Sequence, residues 1–409
     1  MDDPERQAAA LAPAAALTGF GRGPAGRFDA VEPSGPVTIS KAGHLFGLDL
    51  VRCIAILLVL VNHCGLAFTA WNLVGRPAYL DTLGYYGVEL FFVLSGFLIG
   101  GILLDVIAAK PTVQDWLVFM ARRWMRTLPL YYVWLVLIAC VWAPGVMHDD
   151  WDAAWRLVQR YAWFGQNLAW PADEWFAVSW SLAIEEWFYL TFSLVLLSCA
   201  RTLGARRAMF VALPLFLAVP LVLRLIESPY GNWNDYLHKV VMFRLDAIAF
   251  GVLAVTLLRL KTLSTTASIL LLAVGTCMIA LQCTGLLPAA DLAGPRISRV
   301  LGFDVTDLGF ALLLPGIALL PKPPAWLNAP VRLFAAQSYG TYLMHYTLIQ
   351  WMGDARGGTH WSGLTTSLMT SALILVLPAA SWHFFEKPLL ALRPAGRRPV
   401  ARPQLSHAS

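Results

Sequence analysis

The polar residues of this chain fall in clusters, and between the clusters lie apolar stretches long enough to cross a bilayer. Ten such stretches occur, at roughly 48–70, 84–106, 127–147, 179–200, 208–226, 242–260, 267–285, 302–320, 334–352 and 364–384. A hydrocarbon core about 30 Å thick is spanned by about 20 helical residues. The runs are continuous rather than alternating, which excludes a transmembrane barrel. The pattern predicts an all-α polytopic membrane protein with about ten transmembrane helices. Residues 1–47 are rich in Ala, Gly and Pro, lack a helical period and predict a disordered tail. They are not expected to act as a signal peptide, because the first apolar run starts too late and is too long. After Pro388 the chain turns basic and Pro-rich (RPAGRRPVARP), so 389–409 predict a second loose tail.

Composition supports a membrane protein. Of 409 residues, 58% are hydrophobic and 13% charged, against about 25% charged in soluble domains. Lysine and arginine then set the orientation. Alternate connecting segments carry 20 of the 30 basic residues on one side, including Arg122, Arg123, Arg126, Arg201, Arg206 and Arg207, and 7 on the other. Both termini are therefore expected in the cytoplasm. The formal charge of +5 follows from this topology and implies no nucleic-acid partner. The six cysteines all lie in apolar stretches and read as small hydrophobes, with no disulfide or zinc spacing, so no metal is expected. The longest outer loop, 148–178, mixes Asp149, Asp150, Asp152, Asp173 and Glu174 with tryptophans, which read as an interfacial belt or a sugar-stacking surface.

One polar position stands out. In LDLVRCIAILLVLVNHCGLAF (Leu48–Phe68), His63 follows Arg52 by eleven residues, a helical rise of about 16 Å. With Arg52 near one interface, His63 falls close to the membrane midplane, where an ionisable group is a site candidate by default. The alternative is a histidine that ties two helices together.

Several segments together resemble one family, the membrane-bound acyltransferase 3 proteins. GLDLVRCIAILLVLVNHCG resembles the opening helix, whose hallmark is an arginine, ten residues, then a histidine; Arg52 and His63 fit it. GVELFFVLSGFLIG (Gly87–Gly100) is similar to the second helix, with Glu89 where the family often has aspartate. FMARRWMRTLPLYY (Phe119–Tyr132) resembles the cytoplasmic arginine motif, its arginines falling on Arg123 and Arg126. VSWSLAIEEWFYL (Val178–Leu190), FRLDAIAFGVLA (Phe243–Ala254), QSYGTYLMHYTLI (Gln337–Ile349) and FFEKP (Phe384–Pro388) complete the order. The resemblance covers roughly 48–388 and implies a single transmembrane acyltransferase domain. It implies transfer of acetyl or another short acyl group from acyl-coenzyme A, without a metal, to a hydroxyl of a surface polysaccharide, a lipid-linked glycan or a macrolide-type metabolite. An inner-membrane location follows for the polysaccharide reading, with oligomeric state open. A transporter or glycan exporter, with His63 in a proton relay, is the rival from another class. It would be expected to show related halves and broken helices; neither is visible in the sequence.

The residues carry this chemistry on their own terms. Acyl transfer to an alcohol needs a base for the hydroxyl proton, and imidazole has a suitable pKa; His63 is the candidate. Cys64, about 100° away around the helix, does not face His63, so direct transfer is preferred to an acyl-enzyme, with Ser95 and Ser181 as weaker nucleophiles. Arg52, Arg123 and Arg126 suit phosphate recognition at the cytoplasmic face. The positive-inside rule alone also explains Arg123 and Arg126, and Asp49 offers Arg52 a partner. Ser181 and Glu185, at i and i+4, share a helix face, whereas Glu186 points elsewhere; Glu185 is read as orienting an imidazole or binding acceptor hydroxyls, or as stabilising the helix N-terminus. Arg244 and Asp246 are expected as a buried ion pair, and His345 as a packing or supporting histidine. Glu386-Lys387-Pro388 reads as a helix stop.

Overall fold

The computed structural model describes residues 45–71, 79–108, 111–146, 151–172, 174–228, 233–260, 263–287 and 296–394. The expected N-terminal tail up to residue 44, the acids Asp149, Asp150 and Asp173, and residues 395–409 of the expected C-terminal tail lie outside them. The described residues contain helices and no strand. In chain order the α-helices are α1 (Phe46–Ala70), α2 (Tyr79–Ala108), α3 (Val113–Val146), α4 (Trp151–Ala162), α5 (Ser179–Leu203), α6 (Ala205–Glu227), α7 (Leu245–Leu260), α8 (Thr265–Cys283), α9 (Arg296–Ala318), α10 (Ala325–Gly357), α11 (Gly363–Ser381) and α12 (Lys387–Ala391).

Each of the ten apolar stretches coincides with a helix. Eight described helices are long and apolar enough to cross a membrane: α1, α2, α3, α5, α6, α8, α9 and the run from α11 into α12. Helix α7 has 16 residues, about 24 Å of rise against a core of about 30 Å. Helix α10 is long enough but polar on its buried face, which carries Gln337, Ser338, Thr341, His345 and Thr347. The protein is thus a multi-pass helical membrane protein.

Two local expectations change. The arginine motif does not precede a helix beginning at 127; α3 begins at Val113, so Arg123 and Arg126 lie three to four turns inside it. An apolar window ends at the first charge, but the backbone stays helical wherever a charged side chain finds a suitable environment. Pro388 does not stop the chain either. A π-helical turn, Trp382–Glu386, leads into α12, and Pro388 sits in the first turn of α12, where its missing N–H costs nothing.

Helix α2 is the spine of the packing, lying against α1 on one side and α7 on the other. The contact with α7 is backbone on backbone. A Cβ on Gly96 would stand 1.8 Å from the Ile248 carbonyl oxygen, and one on Gly251 1.9 Å from that of Val93. Gly100, four residues after Gly96, faces Val252 and Val255 of the same partner. This is the small-residue spacing that brings membrane helices together in the absence of a hydrophobic driving force.

Beside that contact lies a largely buried ionic network. Arg224 of α6 and Arg244, just before α7, are fully buried. Arg224 pairs with Asp246 at 2.6 Å and Asp304 at 2.7 Å, while Arg244 pairs with Glu89, and with Asp307 at 3.7 Å. The ring of Phe303 covers the Arg244 guanidinium at 3.9 Å. The expected Arg244–Asp246 pair is therefore corrected: both residues are buried, but Asp246 turns to α6 and Arg244 to α2 and α9. Buried charges survive only with partners, and here the partners join α2, α6, α7 and α9.

Candidate active site

Helical periodicity gathers residues from five helices around one cavity. Arg123 and Arg126 are one turn apart on α3, Ser181 and Glu185 one turn apart on α5, and Tyr339 and Tyr342 one turn apart on α10, so each pair presents both side chains to the same side. Together with Arg52 of α1 and Ser95 of α2 they line a cleft of about 740 Å³, part of it open to solvent.

The arginines in this wall are unevenly matched by acids. Arg52 donates to Asp49 at 3.0 Å, one turn earlier on its own helix. The Arg123 guanidinium lies over the Tyr189 ring at 4.4 Å. Among the described residues neither Arg123 nor Arg126 has a carboxylate oxygen within 4.0 Å, and Nε of Arg123 is buried without a hydrogen-bond partner. Glu185 accepts from the Tyr189 hydroxyl at 2.7 Å. That uses the only proton of the tyrosine, so Ser95 Oγ, in contact with the same hydroxyl, is the donor to it. Ser181 Oγ meets the Tyr342 hydroxyl at 2.6 Å, joining α5 to α10. Glu186 turns away to accept from Thr127 at 2.8 Å.

One turn beyond Tyr342 on α10, His345 meets His63. Nδ1 of His63 is 2.9 Å from Nε2 of His345. Nδ1 of His345 in turn lies 2.7 Å from the Tyr342 carbonyl oxygen and 3.2 Å from that of Thr341. A carbonyl only accepts, so His345 carries its proton on Nδ1. In the neutral ring its Nε2 is then an acceptor. His63 must donate from Nδ1, which leaves the Nε2 lone pair of His63 uncommitted. His345 is fully buried and His63 partly so, with Tyr346 edge-on to it at 5.1 Å.

A protein-family model described as an acyltransferase domain (acyltransferase 3) matches residues 45–384. The chain belongs to this family. No curated protein and no solved structure matches it. Family membership and the apolar helices together make it a multi-pass membrane acyltransferase. Among the described residues no group of three or more His, Cys, Asp or Glu side chains is placed to hold a metal ion.

For this acyltransferase the sequence-derived candidates separate into three places. Arg52, Arg123, Arg126, Ser181 and Glu185 share the cavity. His63 and His345 form a pair just beyond its lining. Glu89, Arg244 and Asp246 belong to the buried ionic network. Glu185 is bonded to Tyr189 on the arginine side of the cleft, and the imidazole hydrogen bond of His63 goes to His345. Tyr189, Tyr342, Asp304 and Asp307 were not singled out by sequence reasoning. The aspartates were detectable as two acids in an apolar run; the tyrosines, common at membrane interfaces, gave no signal.

Proposed function

We propose that the protein transfers an acetyl or other short acyl group from acyl-coenzyme A to a hydroxyl of a cell-surface polysaccharide or its lipid-linked precursor. The observation that supports it most directly is the cavity wall in which Arg123 and Arg126 stand beside Arg52, with Glu185 in the same wall but no carboxylate oxygen within 4.0 Å of either among the described residues. Clustered guanidinium groups present paired N–H donors matched to phosphate oxygens. A donor with an anionic head and a long arm fits the placing of the arginines and the imidazole pair, since Arg52 and His63 are about 16 Å apart along α1.

In this reading His63 is the general base. Its Nε2 takes the proton of the acceptor hydroxyl as the oxygen attacks the thioester carbonyl. The C–O bond forms, the C–S bond breaks, and the departing thiolate recovers the proton from His63, so no net proton is consumed. His345 holds the other His63 nitrogen as a donor and so keeps Nε2 available. The arginines hold the anionic head, and Ser181 with Tyr342 lines the passage between head and imidazole. Ten membrane crossings, with both termini in the cytoplasm of an inner-membrane protein, complete the proposal and follow from the charge asymmetry of the connecting segments.

The test is thioester consumption by the full-length protein in nanodiscs, with acetyl-coenzyme A and a panel of glycan acceptors. Acceptor-dependent release of coenzyme A thiol supports the reading. Proton-coupled glycan flux without thioester consumption overturns it in favour of transport.

A further inference from the structure

The arginine cluster does not end at the cavity lining. Beyond α12, Arg122 of α3 donates to the backbone carbonyl of Pro394 at 2.6 Å, pinning the strap that follows the last helix against the arginine motif. The neighbouring residue in that strap is Arg393, which lies nine residues past the family match. Its Nε and Nη2 are buried with no hydrogen-bond partner. Its surroundings are cationic. Burial and the charges of Arg122 and Arg123 push the Arg393 guanidinium below its ordinary value, and Arg126 in turn feels Arg52, Arg123 and Arg393, with Glu386 the acid that opposes them. Like charges drawn together, with buried donors unmet, are costly unless an anion satisfies them.

The position of the strap indicates which part of an anion it would meet. Helices α1 and α10 run the same way from the arginine end to the imidazole pair, from Arg52 to His63 and from Val331, whose carbonyl Cys53 contacts, to His345. Arg122 is one turn nearer the start of α3 than Arg126. Arg393 therefore lies outside the lining, at the end away from His63.

We infer that Arg393, held in place by Arg122, forms an outer phosphate subsite for the donor phosphate furthest from its thioester, which in coenzyme A is the 3′-phosphate of the ribose. The inference rests on the acyl-coenzyme A reading above. Arg52, Arg123 and Arg126 take the phosphates nearer the reacting end, and the strap adds a second, separate contact. Discrimination for the 3′-phosphate is then a property of the strap.

Equilibrium binding to the full-length protein in nanodiscs tests this, with coenzyme A and 3′-dephospho-coenzyme A as the two probes. The wild-type protein is expected to prefer coenzyme A by roughly tenfold or more, the scale of one charge-assisted contact. Arg393→Gln should abolish that preference by weakening coenzyme A alone, and Arg393→Lys should restore part of it. Thermal melting of each variant shows whether the fold is intact. Equal wild-type affinity for the two probes overturns the subsite while leaving the donor reading standing, as does an Arg393→Gln variant that weakens both equally or neither. Binding of neither probe by the wild-type protein sinks the donor reading and this inference with it.

Discussion

His63 and His345, 282 residues apart in sequence, share one hydrogen bond of 2.9 Å, and the backbone carbonyls behind His345 fix which ring donates it. The pair therefore has a direction: protons are committed from His63 towards α10, and the other nitrogen of His63, Nε2, is the one without a proton. A histidine serving only to join two helices needs a partner but not this orientation.

His63→Ala should abolish acyl transfer while leaving the protein inserted and folded. A general base contributes about 10²–10⁴-fold, so kcat should fall by that range, with yield and melting temperature nearly unchanged. Loss of expression with normal specific activity in the surviving protein would return His63 to a packing role.

The direction of the pair predicts a split at position 345. His345→Gln retains a carbonyl oxygen able to accept from His63 Nδ1, whereas His345→Phe fills the space without an acceptor. Activity should be largely kept in the first and lost by about tenfold or more in the second, the scale of an unsatisfied buried donor. Steady-state kinetics should place the loss in kcat rather than KM.

Chemistry can be separated from topology at the cavity arginines. Lysine keeps the charge that sets orientation but loses the planar two-donor fork. An Arg123→Lys, Arg126→Lys double variant should insert normally and bind coenzyme A more weakly, by about 1.5–3 kcal/mol for each charge-assisted bond lost. Unchanged affinity would leave both as topological anchors.

The ionic network predicts which pairs are coupled. A double-mutant cycle between Asp246 and Arg224, read by unfolding in detergent, should return a coupling of about 1–3 kcal/mol. The same cycle between Asp246 and Arg244 should return less, because no ion pair joins them.

Between α2 and α7, Gly96→Ala should destabilise the protein by about 1–3 kcal/mol or more, since the added carbon overlaps the Ile248 carbonyl. Gly101→Ala, whose Cβ would meet nothing nearer than 3.7 Å, should be neutral or slightly stabilising. Similar melting temperatures for the two variants would contradict the close approach.

What the sequence revealed was whatever spacing along one helix decides. The i,i+3 pair Arg123 and Arg126 and the i,i+4 pair Ser181 and Glu185 each reached one side of a helix as expected. Pairing between helices was not legible. Asp246 lies two residues from Arg244, yet the turn between them sends the two side chains to different helices, and packing selects the partners. The partner of His63 depended on how α1 and α10 lie together, which no local pattern encodes. Arg393 was hidden by its setting, because a basic, proline-rich segment reads as a tail unless something further up the chain grips it.

The glycine contact between α2 and α7 also constrains motion. With two backbones touching at Gly96 and Gly251, and Glu89 bonded to Arg244 across the same pair, neither helix can slide or rotate without the other. They pack as one unit. Any rearrangement of the cavity walls therefore has to carry α2 and α7 together, since Val88, Phe91, Ser95 and Leu98 of α2 themselves line the cavity.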